Sequence, residues 1–146
     1  MTALLYLDTS ALAKWYLNEP GSERFRTFFR EQTLPPAIST LTVLELRCLV
    51  GRRRRAGEID GNQERLVLSA LEKQIDFGLL DLRPLEDTHA RAAIRLLDEL
   101  RSYRLRTLDA LHLAIARDLS AQGFATADHL LAEAAAALGL ATELFG

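Results

Sequence analysis

The run Leu4-Leu5-Tyr6-Leu7 is apolar, has no room for a helix, and stops at Asp8. A run of that kind reads as a buried strand. Ala37-Ile38-Ser39, Leu79–Leu82 and Gly123-Phe124-Ala125-Thr126 repeat the pattern, and Ala141–Phe145 offers a fifth. The intervening segments have helical spacing: Ala11–Leu17, which Thr9 or Ser10 can cap, a helix from Ser22, one capped by Thr40 or Thr42, Ile59–Ile75, Thr88–Leu100 with Ala90, Ala93, Ile94, Leu97 and Leu100 inward, Leu108–Leu119 and Asp128–Leu138. Parallel strands need crossover connections, which helices supply, and the resulting sheet is covered on both faces. The expected fold is α/β, a three-layer α/β/α arrangement with a parallel sheet.

The chain has 146 residues, which sets the expectation of a single domain spanning residues 1–146. No apolar run approaches the roughly 20 residues of a membrane span, and Met1–Leu7 lacks the basic start and cleavage site of a leader. Cys48, the only cysteine, excludes an internal disulfide and a multi-cysteine zinc site. These readings favour a cytoplasmic globular protein. The net charge of −2 does not announce a nucleic-acid binder. Of the 18 lysines and arginines only Lys14 and Lys73 are lysines, a bias that GC-rich coding also produces.

Four acidic residues stand out against their surroundings. Asp8 ends the first strand and Asp128 follows the fourth, where ligands of open α/β sheets bind, although either also suits a helix N-cap. Glu45 shares the helical stripe of Leu41, Leu44, Cys48 and Leu49, which we expect to face the core, and a buried glutamate needs a partner. Asp109 lies in a first helical turn and precedes the apolar ladder Leu113 and Ala116, so it faces inward. Carboxylates converging this way repel one another unless a divalent cation fills the cluster, and oxygen ligands suit Mg²⁺ or Mn²⁺. The structural alternative is a set of salt bridges to the abundant arginines.

The segments Leu7-Asp8-Thr9-Ser10-Ala11-Leu12 and Ser39-Thr40-Leu41-Thr42-Val43-Leu44-Glu45-Leu46 resemble the first two motifs of the PIN-domain family. Arg106-Thr107-Leu108-Asp109-Ala110-Leu111-His112-Leu113-Ala114 resembles the third. Thr126-Ala127-Asp128-His129-Leu130-Leu131-Ala132-Glu133-Ala134-Ala135 resembles the fourth. Their order and spacing are most similar to VapC-type toxins of toxin–antitoxin pairs. The resemblance implies a parallel five-stranded sheet and a Mg²⁺- or Mn²⁺-dependent endoribonuclease. It further implies a cognate VapB-type antitoxin, an RNA substrate and a homodimer. It maps the catalytic and metal-binding quartet onto Asp8, Glu45, Asp109 and Asp128, with Ser10 and Thr126 as supporting hydroxyls.

Arg104 and Arg106, close to Asp109, are candidates for a substrate phosphate, and Arg52–Arg55 is either a solvated helix end or a rail for an RNA backbone. His112 reads as a hydrogen-bonded scaffold residue, Cys48 as a small packing residue, and His89 and His129 have no constellation around them. Phe25, Phe28 and Phe29 with Trp15-Tyr16 form either core or a protein interface. A dehalogenase-like phosphatase would need an aspartate where Ser10 stands. The competing reading is a non-catalytic PIN-like interaction module, in which the quartet survives only as salt bridges.

Overall fold

In a computed structural model that describes residues 3–146, the chain alternates strands and helices. Strand β1 (Leu5–Leu7) leads to α1 (Thr9–Tyr16) and α2 (Ser22–Arg30). Then come β2 (Ala37–Ser39), α3 (Thr40–Arg55), α4 (Gly61–Asp76) and β3 (Asp81–Arg83). The chain continues with α5 (Asp87–Glu99), α6 (Thr107–Asp118), β4 (Gly123–Thr126), α7 (His129–Ala137) and β5 (Ala141–Leu144). The five strands form one sheet in the order β3-β2-β1-β4-β5, and every pairing is parallel. Met1 and Thr2, part of the segment read for a leader, lie outside the described residues.

Successive residues of a strand face opposite sides of a sheet. Leu5 and Leu7 therefore pack with Ile38, Ala125 and the buried residues of α1 to α4, while Tyr6 packs with Phe124 and the buried faces of α5 to α7. That gives the expected three layers. The chain moves outward from β1 through β2 to β3, then returns to the other side of β1 with β4. The point where the order reverses lies beyond the carboxyl end of β1, where such sheets hold their ligands.

Several local expectations are corrected. Asp8, not Thr9 or Ser10, caps α1, accepting the Ala11 N–H. Ser39, not Thr40 or Thr42, caps α3, with Thr42 completing the reciprocal capping box. The third strand begins two residues late, at Asp81, and Leu80 before it is buried. On α5 the core side is His89, Ala93, Leu96 and Leu100, so Ala90, Ile94 (63% exposed) and Leu97 (41%) face away from it. On α3 the core takes Leu41, Thr42, Leu46 and Val50, leaving Leu44 60% exposed and Cys48 exposed rather than packed. Both helices carry two stripes at helical spacing, and the fold buries the one centred on Leu96 or Leu46. His89 also has a constellation: its Nδ1 accepts the Glu86 N–H at 2.9 Å and its Nε2 meets Asp118 at 3.0 Å, so it caps α5 and ties it to α6.

Candidate functional site

Beyond the ends of β1 and β4 opens a cleft of about 470 Å³. Its lining includes all four acidic residues of the motifs, Asp8, Glu45, Asp109 and Asp128, together with Thr9, Ser10, His112, Arg52 and Arg106. The stripe of Leu41, Leu44, Cys48 and Leu49 faces this cleft: Leu41 is buried as expected, while the other three form the cleft's apolar wall. That explains how Glu45 can share it and remain only half-buried.

The floor is built where the strands end. Asp8 is 4% exposed. Its Oδ1 accepts the Ser10 hydroxyl at 2.8 Å and the Ala11 N–H at 2.9 Å, and its Oδ2 accepts the Thr126 hydroxyl at 2.6 Å. Ser10 and Thr126 thus both donate to Asp8. Ser10 also accepts the Ala127 N–H and Thr126 the Asp128 N–H, which locks the β4–α7 turn against the start of α1. Burial raises the Asp8 carboxyl above its ordinary value, and the nearby His112 with the Thr126, Ala11 and Ser10 hydrogen bonds offsets this only in part.

The wall contributed by α3 is organised around one oxygen. Glu45 Oε1 accepts the Thr9 hydroxyl at 2.7 Å and meets His112 Nε2 at 2.5 Å. Burial by itself would raise the Glu45 carboxyl, but His112, Thr9 and the charge of Arg106 together hold it below the ordinary carboxylate range. Glu45 Oε2 accepts no hydrogen bond among the described residues.

The opposite rim is bound by Arg106. Its backbone N–H and Nε reach Asp109 Oδ2 at 3.1 and 3.3 Å, and its second guanidinium nitrogen reaches Asp128 Oδ2 at 3.2 Å. Asp128 Oδ1 meanwhile caps α7 by accepting the Leu130 and Leu131 N–H groups. Arg106, His112 and the hydroxyls of Thr9, Ser10 and Thr126 are the groups that meet these carboxylates. Arg104 does not line the cleft, whereas Arg106 does. Of the arginine run, Arg53 pairs with Glu19 and Glu58 and Arg54 with Glu64, while Arg52 lines the cleft with no ion pair among the described residues.

The donor set suits a hard divalent cation, since carboxylate oxygens dominate it and Glu45 Oε2 and Asp109 Oδ1 are free of hydrogen bonds among the described residues. As they stand, no three acidic, histidine or cysteine side chains among the described residues are gathered closely enough to hold an ion. Arg106, with 78% of its side chain exposed, bridges Asp109 and Asp128 across this rim. Sequence reasoning missed Thr9 as a partner of Glu45 and the buried bond between Tyr6 and His112. The one available signal was a tyrosine inside a buried strand, whose hydroxyl has to find a partner.

The model of the PIN domain matches residues 5–137. The chain is similar to Ribonuclease VapC47 of Mycobacterium tuberculosis, with 31% identity over 144 residues, 95% of either protein. The chain belongs to the PIN-domain family. Among solved structures it is similar in fold to the Mycobacterium tuberculosis protein VapC20, described as a Sarcin-Ricin loop cleaving toxin, with a TM-score of 0.73 and 15% identity over 93% of this chain and 95% of that one. It is also similar to a chain of a toxin–antitoxin complex from Klebsiella pneumoniae, with a TM-score of 0.59 and 19% identity over 86% and 87%.

Proposed function

We propose that this protein is a Mg²⁺- or Mn²⁺-dependent endoribonuclease, the toxin of a VapBC-type pair, acting as one domain in the cytoplasm. The observation that carries the reading is the convergence of Asp8, Glu45, Asp109 and Asp128 on one open cleft at the reversal point of the sheet. The similarity to a protein named a ribonuclease over 95% of the chain supports the substrate class. A VapB-type antitoxin as partner is supported by the likeness to a chain of a toxin–antitoxin complex. A homodimer follows from the family resemblance. Among the described residues no helix is long and apolar enough to cross a membrane.

Glu45 and Asp109, whose Oε2 and Oδ1 accept no hydrogen bond among the described residues, would hold the cation, with Asp8 and Asp128 beside them. A divalent ion held there would supply a lowered pKa for a water and neutralisation of the charge that builds on the phosphate. Asp8, clamped by Ser10 and Thr126, keeps its carboxylate fixed while charge is redistributed, so no reorganisation is needed at the moment of reaction. Arg106, once displaced from Asp109 and Asp128, is within the same cleft and presents a planar fork that matches a phosphate.

One observation favours the rival reading of a non-catalytic interaction module: every carboxylate of the quartet already has a protein partner. Incubating purified protein with RNA in Mg²⁺, Mn²⁺ or EDTA separates the two. The nuclease reading expects cleavage with either metal and none in EDTA. Full cleavage in EDTA overturns the metal mechanism, and no cleavage together with no Mn²⁺ binding favours the module.

A further inference from the structure

Beneath the cleft, three side chains from three elements form a buried relay that the acidic quartet does not account for. Ser39 Oγ lies 2.9 Å from the Tyr6 hydroxyl, which lies 2.7 Å from His112 Nδ1, and His112 Nε2 meets Glu45 Oε1. Tyr6 and Ser39 are fully buried and His112 is 3% exposed. The relay joins the central strand, the N-cap of α3 and the middle of α6, and it ends on the single acidic side chain of the cleft that α3 carries.

The direction of the relay follows from what each atom can do. An ionised carboxylate only accepts, so His112 Nε2 must carry a hydrogen. In the neutral ring Nδ1 is then an acceptor, and it takes the Tyr6 O–H. Burial holds the Tyr6 phenol well above its ordinary value, so that proton is in place. The Tyr6 oxygen in turn can accept from Ser39. With Tyr6 donating to Nδ1 the other tautomer is excluded, because two hydrogens would meet. Thr9 donates to the same Glu45 oxygen at 2.7 Å, so both donors hold Oε1 and neither touches Oε2.

We infer that His112, fixed in its Nε2–H tautomer by Tyr6, is the positioning residue for Glu45: it anchors Oε1 and leaves Oε2 available to a cation. This rests on the reading of Glu45 as part of a metal site, and outer partners of this kind orient metal ligands elsewhere. It differs from a packing role in a way that can be measured. A packing histidine would tolerate any side chain of similar bulk, whereas a positioning one requires a donor at Nε2.

The experiment combines metal binding, without RNA, and spectroscopy of the metal-free protein. Replacing His112 by leucine should weaken Mn²⁺ binding, read by electron paramagnetic resonance, by about tenfold or more. His112→Gln, which keeps a donor near the Nε2 position, should recover most of that loss, and Tyr6→Phe should fall between. On a Glu45→Gln background His112→Leu should cost nothing further, since the two act through one oxygen. The nitrogen-15 spectrum of the metal-free wild type should show the Nε2–H tautomer, with the other tautomer gaining population in Tyr6→Phe. Should His112→Leu bind Mn²⁺ as tightly as wild type, or the losses of His112→Leu and Glu45→Gln simply add, the inference is overturned while the metal site stands. Should the wild type bind no Mn²⁺, the metal reading fails, and an Nδ1–H tautomer in the spectrum would then overturn the positioning role independently.

Discussion

The floor and the rim of the cleft are built on opposite principles. The floor, with Asp8, Ser10, Thr126, Tyr6, Ser39 and His112, is buried or nearly so, and among the described residues no buried side-chain nitrogen or oxygen lacks a hydrogen-bond partner. The rim, with Arg52, Leu44, Leu108 and Arg106, is open to water, and its chief ion pairs run through one solvent-exposed guanidinium. A buried network fully satisfied is rigid, and losing one member leaves the others with costly vacancies. An exposed ion pair is exchanged at little cost. The same cleft therefore combines a part that does not move with a part that can be traded for a ligand.

The largest expected effect is on the floor. Asp8→Asn should lower RNA cleavage by about 10²–10³-fold, the scale of losing one preorganised electrostatic group, while the protein stays folded. The same pair of proteins tests the burial of the charge. Because the folded Asp8 carboxyl sits above its ordinary value, the native state holds that proton more strongly than the unfolded state. Its contribution to stability is present at low pH and is lost as pH rises through the raised value. In EDTA, Asp8→Asn should melt above wild type at neutral pH, and the gap should close as pH falls into the carboxylate range. A gap that widens on acidification would show that the hydrogen bonds, not burial, govern Asp8.

At the rim the effect should be smaller and of opposite sign for metal. Arg106→Gln removes the competitor for Asp109 and Asp128, so Mn²⁺ should bind several-fold more tightly, while RNA binding weakens and the melting temperature hardly changes. Weaker Mn²⁺ binding in this variant would mean that Arg106 organises the two aspartates and is no competitor for them. The smallest difference separates neighbours on α3. Arg52→Ala should lower the slope of log affinity for single-stranded RNA against log salt by about 0.7, one phosphate contact, without loss of stability. Arg53, paired with Glu19 and Glu58, should show the converse: a lower melting temperature in Arg53→Ala and an unchanged salt slope.

The sequence made the floor's acidic end legible because Asp8 stands at the end of an apolar run, where a charge is out of place unless it caps a helix or meets a ligand. Glu45 was legible for a reason that proved half right. A charge amid Leu41, Leu44, Cys48 and Leu49 is anomalous, but the last three wall the cleft, and the core is reached through Leu41, Leu46 and Val50. A similar ambiguity put Ile94 and Leu97 of α5 inward in place of Leu96, since adjacent stripes on one helix differ by about 100° and both repeat at helical spacing. What could not be read was the wiring between distant segments. Thr9 and Glu45 are 36 residues apart, His112 and Glu45 are 67, and Tyr6 and His112 are 106, and no local pattern carries such pairings. The division of the arginine run is illegible for a related reason: Arg52 and Arg53 differ only by one step around α3, and the tertiary position of Glu19 decides which is bound.

The bond between Thr126 and Asp8 spans 118 residues, and β1 lies between β2 and β4. A chain emerging from the ribosome at about 5–20 residues per second has Asp8 in solution seconds before the strand that completes its surroundings exists. Until β4 arrives, the central strand has one open edge, Asp8 lacks its Thr126 donor, and Asp109 and Asp128 have no common cleft to face. A chain that stops short of β4 therefore lacks the assembled acidic cleft, because the Thr126 support of Asp8 and the Asp128 carboxylate both come from residues at or after that strand.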